Sequence, residues 1–148
     1  MALFGKNKIT GPAPHRRISV GEYTLVLNSR GRIPVILAKK NRKSCEVLDL
    51  VYMDQEALQI SLFTGAVHVY KRSKEQVEEL LSARGERLPI HFVKMSQNHR
   101  SLLIMIGSGT TSEEVHNGFQ EVIWTSPNHN KNKRMPKKSN ENDDDIFE

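Results

Sequence analysis

The hydrophobic positions of this chain fall in short runs punctuated by Gly, Pro, Asn and Ser, a spacing that predicts strands more than long helices. Tyr23 to Leu27 reads as a strand, followed by a turn at Asn28-Ser29-Arg30-Gly31. Pro34 to Ala38 reads as a second strand that Pro34 opens, because proline lacks the N–H that a central ladder position needs. A polar turn over Asn41 to Ser44 leads to a third strand, Glu46 to Tyr52.

Asp54 is suited to cap a helix carrying Leu58 and Leu62 one turn apart, with Gly65 as its stop. Ala66 to Tyr70 alternates, Val67 and Val69 on one face and His68 and Tyr70 on the other, so a strand follows. Ser73-Lys-Glu-Gln76 has the capping-box pattern and predicts a second helix with Val77, Leu80 and Leu81 on one face, ending at Gly85. Ile90 to Met95, Ser101 to Ile106 and Phe119 to Trp124 complete about seven strands and two helices. Leu102 to Ile106 is apolar on both faces, which predicts a central strand. The fold class is α+β and β-rich.

Charge divides the chain further. Residues 1–32 hold six basic side chains against Glu22 alone, residues 33–124 are balanced, and the last segment places Lys131 to Lys138 before Glu141 to Glu148. The expected organisation is a flexible basic N-terminal arm over 1–20, one domain over 21–124, and a disordered basic-then-acidic tail over 125–148, since the tail has too little apolar surface to offset its ordering entropy. One cysteine, Cys45, excludes an internal disulfide and any zinc site needing two cysteines of one chain, and is most simply a small buried residue. The longest wholly apolar stretch, Leu102 to Ile106, is far shorter than the roughly 20 residues a membrane helix needs. No apolar run of signal-peptide length opens the chain, so the expectation is a soluble, cytoplasmic protein with no membrane partner.

Three segments carry a resemblance: Gly31-Arg-Ile-Pro-Val-Ile-Leu37, Glu46-Val-Leu-Asp-Leu-Val-Tyr-Met-Asp-Gln-Glu-Ala-Leu58, and Thr64-Gly-Ala-Val-His-Val-Tyr-Lys-Arg-Ser-Lys74. Together they resemble phosphoribosyl-AMP cyclohydrolase of histidine biosynthesis, whose pattern opens G-L-I/V-P and continues through E-V-L-M and Y/F-M-N/D-x-E-A-L to T-G and S-R-S/T-R/K. The resemblance implies a homodimer with the active site between its subunits.

The second half departs from that family. Its W-x-K-G-E-T-S-G phosphate segment falls on Ala83 to Pro89, where Gly85 and Glu86 match, Arg84 replaces lysine and T-S-G is missing. Its D-C-D-x-D metal motif falls on Ser96-Gln97-Asn98-His99-Arg100, and its C-H-x-G-x-x-S-C-F motif on Thr110 to Phe119, with every carboxylate and cysteine gone. Ring-opening hydrolysis of the family's kind needs a zinc-bound water with its pKa lowered to about 7. The expectation is therefore no metal, no cofactor and no enzymatic activity. His91, His99 and His116 lack the spacing of a zinc site and read as ordinary surface or strand histidines.

A guanidinium can neutralise phosphate without a metal. Arg100 takes a former metal-ligand position, and Arg72, Arg84, Arg87, Glu86, Ser96, Gln97 and Asn98 are candidates to line a phosphate site with it. Ser108 and Thr110, in Gly107-Ser-Gly-Thr-Thr-Ser112, are candidates to meet an anion, a plain hairpin loop being the alternative. The leading expectation is a metal-free protein that binds a ribosylated adenine nucleotide, in its most specific form sequestering a cyclic ADP-ribose-type immune signal as phage anti-defence proteins do. The alternatives are a nucleic-acid or protein interaction module using the basic arm and tail, and a remodelled hydrolase. Asp143, Asp144, Asp145, Ile146 and Phe147 resemble the partner-recruiting tip of bacterial single-stranded DNA-binding proteins, a solubilising tail being the simpler account.

Overall fold

The computed structural model describes residues 16–40, 44–107 and 115–127. Two strands, β1 (Arg17–Val20) and β2 (Tyr23–Val26), form an antiparallel hairpin. The long strands β3 (Arg32–Lys40) and β4 (Cys45–Asp54) lead into the helix α1 (Gln55–Thr64). A second hairpin, β5 (His68–Lys71) with β6 (Gln76–Glu79), precedes β7 (Ile90–Ser96), β8 (Leu102–Ile106) and β9 (Phe119–Thr125). Among the described residues this makes nine strands and one helix, a β-rich α+β fold.

Five strands build the main sheet in the order β4-β3-β8-β7-β9, with β3 and β8 parallel and the other neighbours antiparallel. β8 is central, as its doubly apolar pattern predicts, and all five of its residues are buried. Pro34 lies inside β3, one residue before pairing with β8 begins at Val35 and Leu102, so its missing N–H falls outside the parallel ladder. One face of the sheet carries Ile33, Val35, Leu37, Val93, Met95, Leu102 and Ile104 into the main core. There they meet Ala57 and Leu58 of α1, Leu25 of β2, and Val67 and Val69 at β5. A smaller cluster of Ala38, Phe92, Leu103 and Met105 occupies the opposite face.

The helix α1 follows local rules. The Asp54 carboxylate accepts from the Ala57 N–H at 2.8 Å, and Gly65 at φ 77° closes the helix by donating its N–H to the Ser61 carbonyl. The second predicted helix does not form. Ser73 lies in the turn of the β5–β6 hairpin, Glu75 takes φ 50°, and Val69 pairs with Glu78 and Tyr70 with Val77. The capping-box pattern loses because β5 has ladder groups to satisfy and β6 supplies them, while Val77 and Leu80 still reach the core from an extended backbone. Gly85, expected as a helix stop, sits at φ 80° in the tight turn over Ser82–Glu86.

Two further expectations change. Cys45 is exposed rather than buried, because it opens β4, which is an edge strand with its first six residues exposed. Arg17–Val20, placed by composition within the N-terminal arm, pair with β2. The rest of the arm and nearly all of the tail, including Asp143 to Phe147, lie outside the described residues. No helix among the described residues is long and apolar enough to cross a membrane.

Candidate functional site: an arginine–tyrosine cleft

The turn from β2 to β3 is organised by one side chain. Asn28 Oδ1 accepts from the backbone N–H of Arg30 at 2.9 Å and of Arg32 at 3.1 Å. Its own N–H donates to the Arg32 carbonyl at 2.7 Å, and Gly31, at φ 77°, donates to the Asn28 carbonyl. Asparagine is suited to this role because its amide oxygen can stand in for a backbone carbonyl in a tight turn. The turn therefore presents Arg30 and Arg32 on a fixed backbone.

Sheet register brings the other walls. Tyr52 on β4 is paired with Pro34, two residues beyond Arg32, while Tyr70 lies in β5, two residues before Arg72. Asn28, Arg30, Arg32, Tyr52, Tyr70 and Arg72 line a cleft of about 410 Å³. The Arg32 guanidinium carbon lies 4.0 Å from the centroid of the Tyr70 ring, a cation–π contact. No carboxylate is among the lining residues. Guanidinium forks grip phosphate oxygens through paired hydrogen bonds, and tyrosine faces stack on planar rings, so the cleft suits a ligand with both features.

Of the sequence-predicted candidates, Arg72 lines this cleft. Arg87 is turned to Glu79, with Nε donating to Oε2 at 2.8 Å and Nη2 to Oε1 at 3.1 Å. That hydrogen-bonded guanidinium holds the Glu79 carboxyl below its ordinary pKa, and the arginine is raised in turn. Arg84 and Glu86 are exposed on the turn over 82–86, where the backbone N–H of each donates to Ser82 Oγ.

Ser96, Gln97, Asn98 and Arg100 form the tight connection from β7 to β8. Ser96 Oγ donates to Asn98 Oδ1 at 2.8 Å and accepts from the N–H of Arg100 and Ser101. His99, at φ 65°, anchors the connection: its Nδ1 lies 2.7 Å from the Thr24 carbonyl, and its own carbonyl accepts from the Val26 N–H. Gln97 and Arg100 are exposed at the same end of the sheet as the cleft but outside its lining. Ser108 and Thr110 lie outside the described residues.

The metal implied for the family does not fit the Ser96–Arg100 connection. It offers no thiolate or carboxylate, its Ser96 and Asn98 oxygens already serve the turn, and Arg100 adds a cation. Among the described residues no three of His, Cys, Asp and Glu gather closely enough to hold an ion. His91 is buried on β7, and His116 Nδ1 lies 2.8 Å from the amine of the buried Lys94.

Five lining residues were missed as site candidates: Asn28, Arg30, Arg32, Tyr52 and Tyr70. Arg32 did carry a signal, since it replaces the leucine of G-L-I/V-P. The others look like turn and strand residues until the register joins them.

Fold and cleft together define a β-rich α+β protein with a cleft lined by three arginines, two tyrosines and an asparagine. The chain is 24% identical over 101 residues to the phosphoribosyl-AMP cyclohydrolase of Methanospirillum hungatei, covering 68% of this chain and 74% of that one. It is 32% identical over 78 residues to the histidine biosynthesis bifunctional protein HisIE of Pyrococcus furiosus, and 32% over 74 residues to that of Wolinella succinogenes. These matches cover 53% and 50% of this chain but only 36% and 31% of the bifunctional proteins, about a third of their length. No protein-family model matches the chain. The chain is a distant, cyclohydrolase-like relative of these histidine-biosynthesis proteins. The expectation that it is not an enzyme is overturned on this point, because these relatives are cyclohydrolase enzymes.

Proposed function

We propose that the cleft binds a phosphorylated ribosyl-adenine nucleotide, of the class to which phosphoribosyl-AMP belongs, and that the chain is a cyclohydrolase-like protein acting on it. The observation that supports this most directly is the gathering of Arg30, Arg32 and Arg72 with Tyr52 and Tyr70 around one cleft without a carboxylate. Its volume of about 410 Å³ falls within the usual range for small-molecule sites. In this reading the guanidiniums take phosphate and the exposed ring of Tyr52 takes the base.

A second copy of the chain belongs to the same reading. Edge strand β4 exposes Val47, Leu50 and Tyr52, at 68%, 56% and 45%, an apolar row of the kind that partners cover. Tyr52 also lines the cleft, so a partner seated on β4 would abut the bound ligand.

Calorimetry with AMP, phosphoribosyl-AMP, cyclic ADP-ribose and adenosine tests the ligand, and the same phosphoribosyl-AMP sample is followed optically for ring opening. Arg72→Ala should weaken a phosphate-bearing ligand by about tenfold or more and leave adenosine unchanged, as loss of one charge-assisted contact requires. Failure of every nucleotide to bind would refute the reading. Binding of phosphoribosyl-AMP without ring opening would remove its catalytic part.

A further inference from the structure

The cleft gathers charge without balancing it. Arg30, Arg32 and Arg72 line it with no carboxylate among the lining residues, and the ion pairs described in the fold, Lys74 with Glu78 and Arg87 with Glu79, engage none of the three. Like charges around one small volume repel one another, so an anion that enters relieves the repulsion as well as forming its own contacts. The walls are aromatic: Tyr52 is 45% exposed, and the Tyr70 ring lies against the Arg32 guanidinium. An occupant that answers this surface carries several adjacent anionic groups and a ring.

The chain's own sequence holds such a segment. Residues 139–148 carry Glu141, Asp143, Asp144, Asp145 and Glu148 with no basic side chain, and Ile146 and Phe147 follow the chain's one run of three consecutive carboxylates. This segment lies outside the described residues, so reach decides whether it can meet the cleft. β9 ends beside the start of β7, where the Ser126 N–H donates to the His91 carbonyl, while the cleft lies at the opposite end of the sheet, where Arg32 opens β3. The separation is about 20 Å along β7 and about 14 Å across the three strand spacings from β9 to β3, or about 25 Å on the diagonal. The sixteen residue steps from Pro127 to Asp143 span up to about 55 Å when extended, about twice what is needed. Tethering keeps the local concentration of such a segment in the millimolar range, enough to populate a weak contact. The competing partners within the tail, Lys131, Lys133, Arg134, Lys137 and Lys138, are mostly lysines, point charges without the paired geometry of a guanidinium fork.

We propose that residues 143–147 dock in the arginine–tyrosine cleft of the same chain, with the Asp143, Asp144 and Asp145 carboxylates on the guanidiniums and the Phe147 ring against Tyr52, and so compete with phosphate ligands for it. The docking rests on the charge of the cleft and the sequence of the tail; only the competition rests on the nucleotide reading given above. The chain has three tyrosines, so the full-length protein labelled with 3-fluorotyrosine gives three fluorine resonances. Tyr52 and Tyr70 report on the cleft, and Tyr23, on β2, is the internal control. Asp143→Asn, Asp144→Asn and Asp145→Asn together should move the Tyr52 and Tyr70 resonances and leave that of Tyr23 in place. The same three changes made in Arg32→Gln/Arg72→Gln protein should move none of them, because the site has already lost its occupant. In calorimetry at low ionic strength the triple variant should bind AMP about threefold or more tighter than wild type. That gain should shrink as salt rises from about 0.01 to about 0.15 M and the Debye length falls from about 30 to about 8 Å. Cleft resonances unmoved by the three substitutions would overturn the docking, the outcome expected if the acidic run pairs with the basic residues of the tail instead. A shift that fades on dilution would overturn the same-chain assignment in favour of the tail of a second copy. Moved resonances with an unchanged AMP affinity would overturn the competition and leave the docking in place. If AMP binds neither protein, the nucleotide reading falls and the fluorine resonances alone decide the docking.

Discussion

Replacing Asn28 with alanine removes the acceptor that holds the β2–β3 turn while leaving every cleft-lining arginine and tyrosine in the chain. Two hydrogen bonds go, those from Arg30 N–H at 2.9 Å and Arg32 N–H at 3.1 Å. Each contributes about 0.5–1.5 kcal/mol net, and because Asn28 is exposed the released N–H groups can turn to water, which puts the total near 1–2 kcal/mol. For a domain of about 100 residues that corresponds to a fall in melting temperature of about 4–12 °C. Phosphate-ligand affinity should fall with it, since Arg32 is no longer fixed for its contact with Tyr70. Asn28→Asp separates the two effects. Its carboxylate accepts the same bonds and keeps the turn, but it adds an anion beside three guanidiniums, so stability should hold while phosphate binding drops. Thermal melting followed by calorimetry reads both. A melting temperature for Asn28→Ala within about 1 °C of wild type would refute the claim that this side chain organises the turn.

Other predictions follow from the same geometry. Ile104→Ala, at a fully buried position of the central strand, should lower stability by about 2–5 kcal/mol in urea titration. Arg87 holds the Glu79 carboxyl below its ordinary pKa, so the stability this group contributes is present above the unfolded carboxylate value of about 4.3 and is lost as pH falls through the depressed one. The melting-temperature gap between wild type and Glu79→Gln should accordingly close on acidification below about pH 4, and a gap that widens would contradict the assignment. If a second copy covers β4 as proposed, Val47→Glu on its exposed edge should shift the protein toward monomer in light scattering while leaving its circular dichroism unchanged.

What could be read directly from the chain was local or strongly patterned. The Asp54 cap and the Gly65 stop are legible because helix ends are satisfied by side chains and left-handed residues within a few positions. Leu102 to Ile106 is legible as central because a strand without a polar face has no solvent to meet. The Ser73–Gln76 segment misleads for the complementary reason: its helix-opening pattern is real, but the unpaired ladder of β5 lies next to it in space. Cys45 misleads because its burial depends on which strand ends the sheet.

The candidate site shows the same division. Sequence pattern alone established a β-rich α+β chain and its cyclohydrolase-like relationship, and offered Arg72 as a candidate, a residue found in the lining of the cleft. Tertiary structure decided which arginines share the cleft with it. Arg87 is drawn to Glu79, eight positions before it, whereas Arg30 and Arg32 come from a turn some forty positions before Arg72. Charge and motif are properties of residues in order along a chain, but a site is a property of distances between them. Those distances were set by the pairing of β3 with β4 and by the placement of β5 beside them.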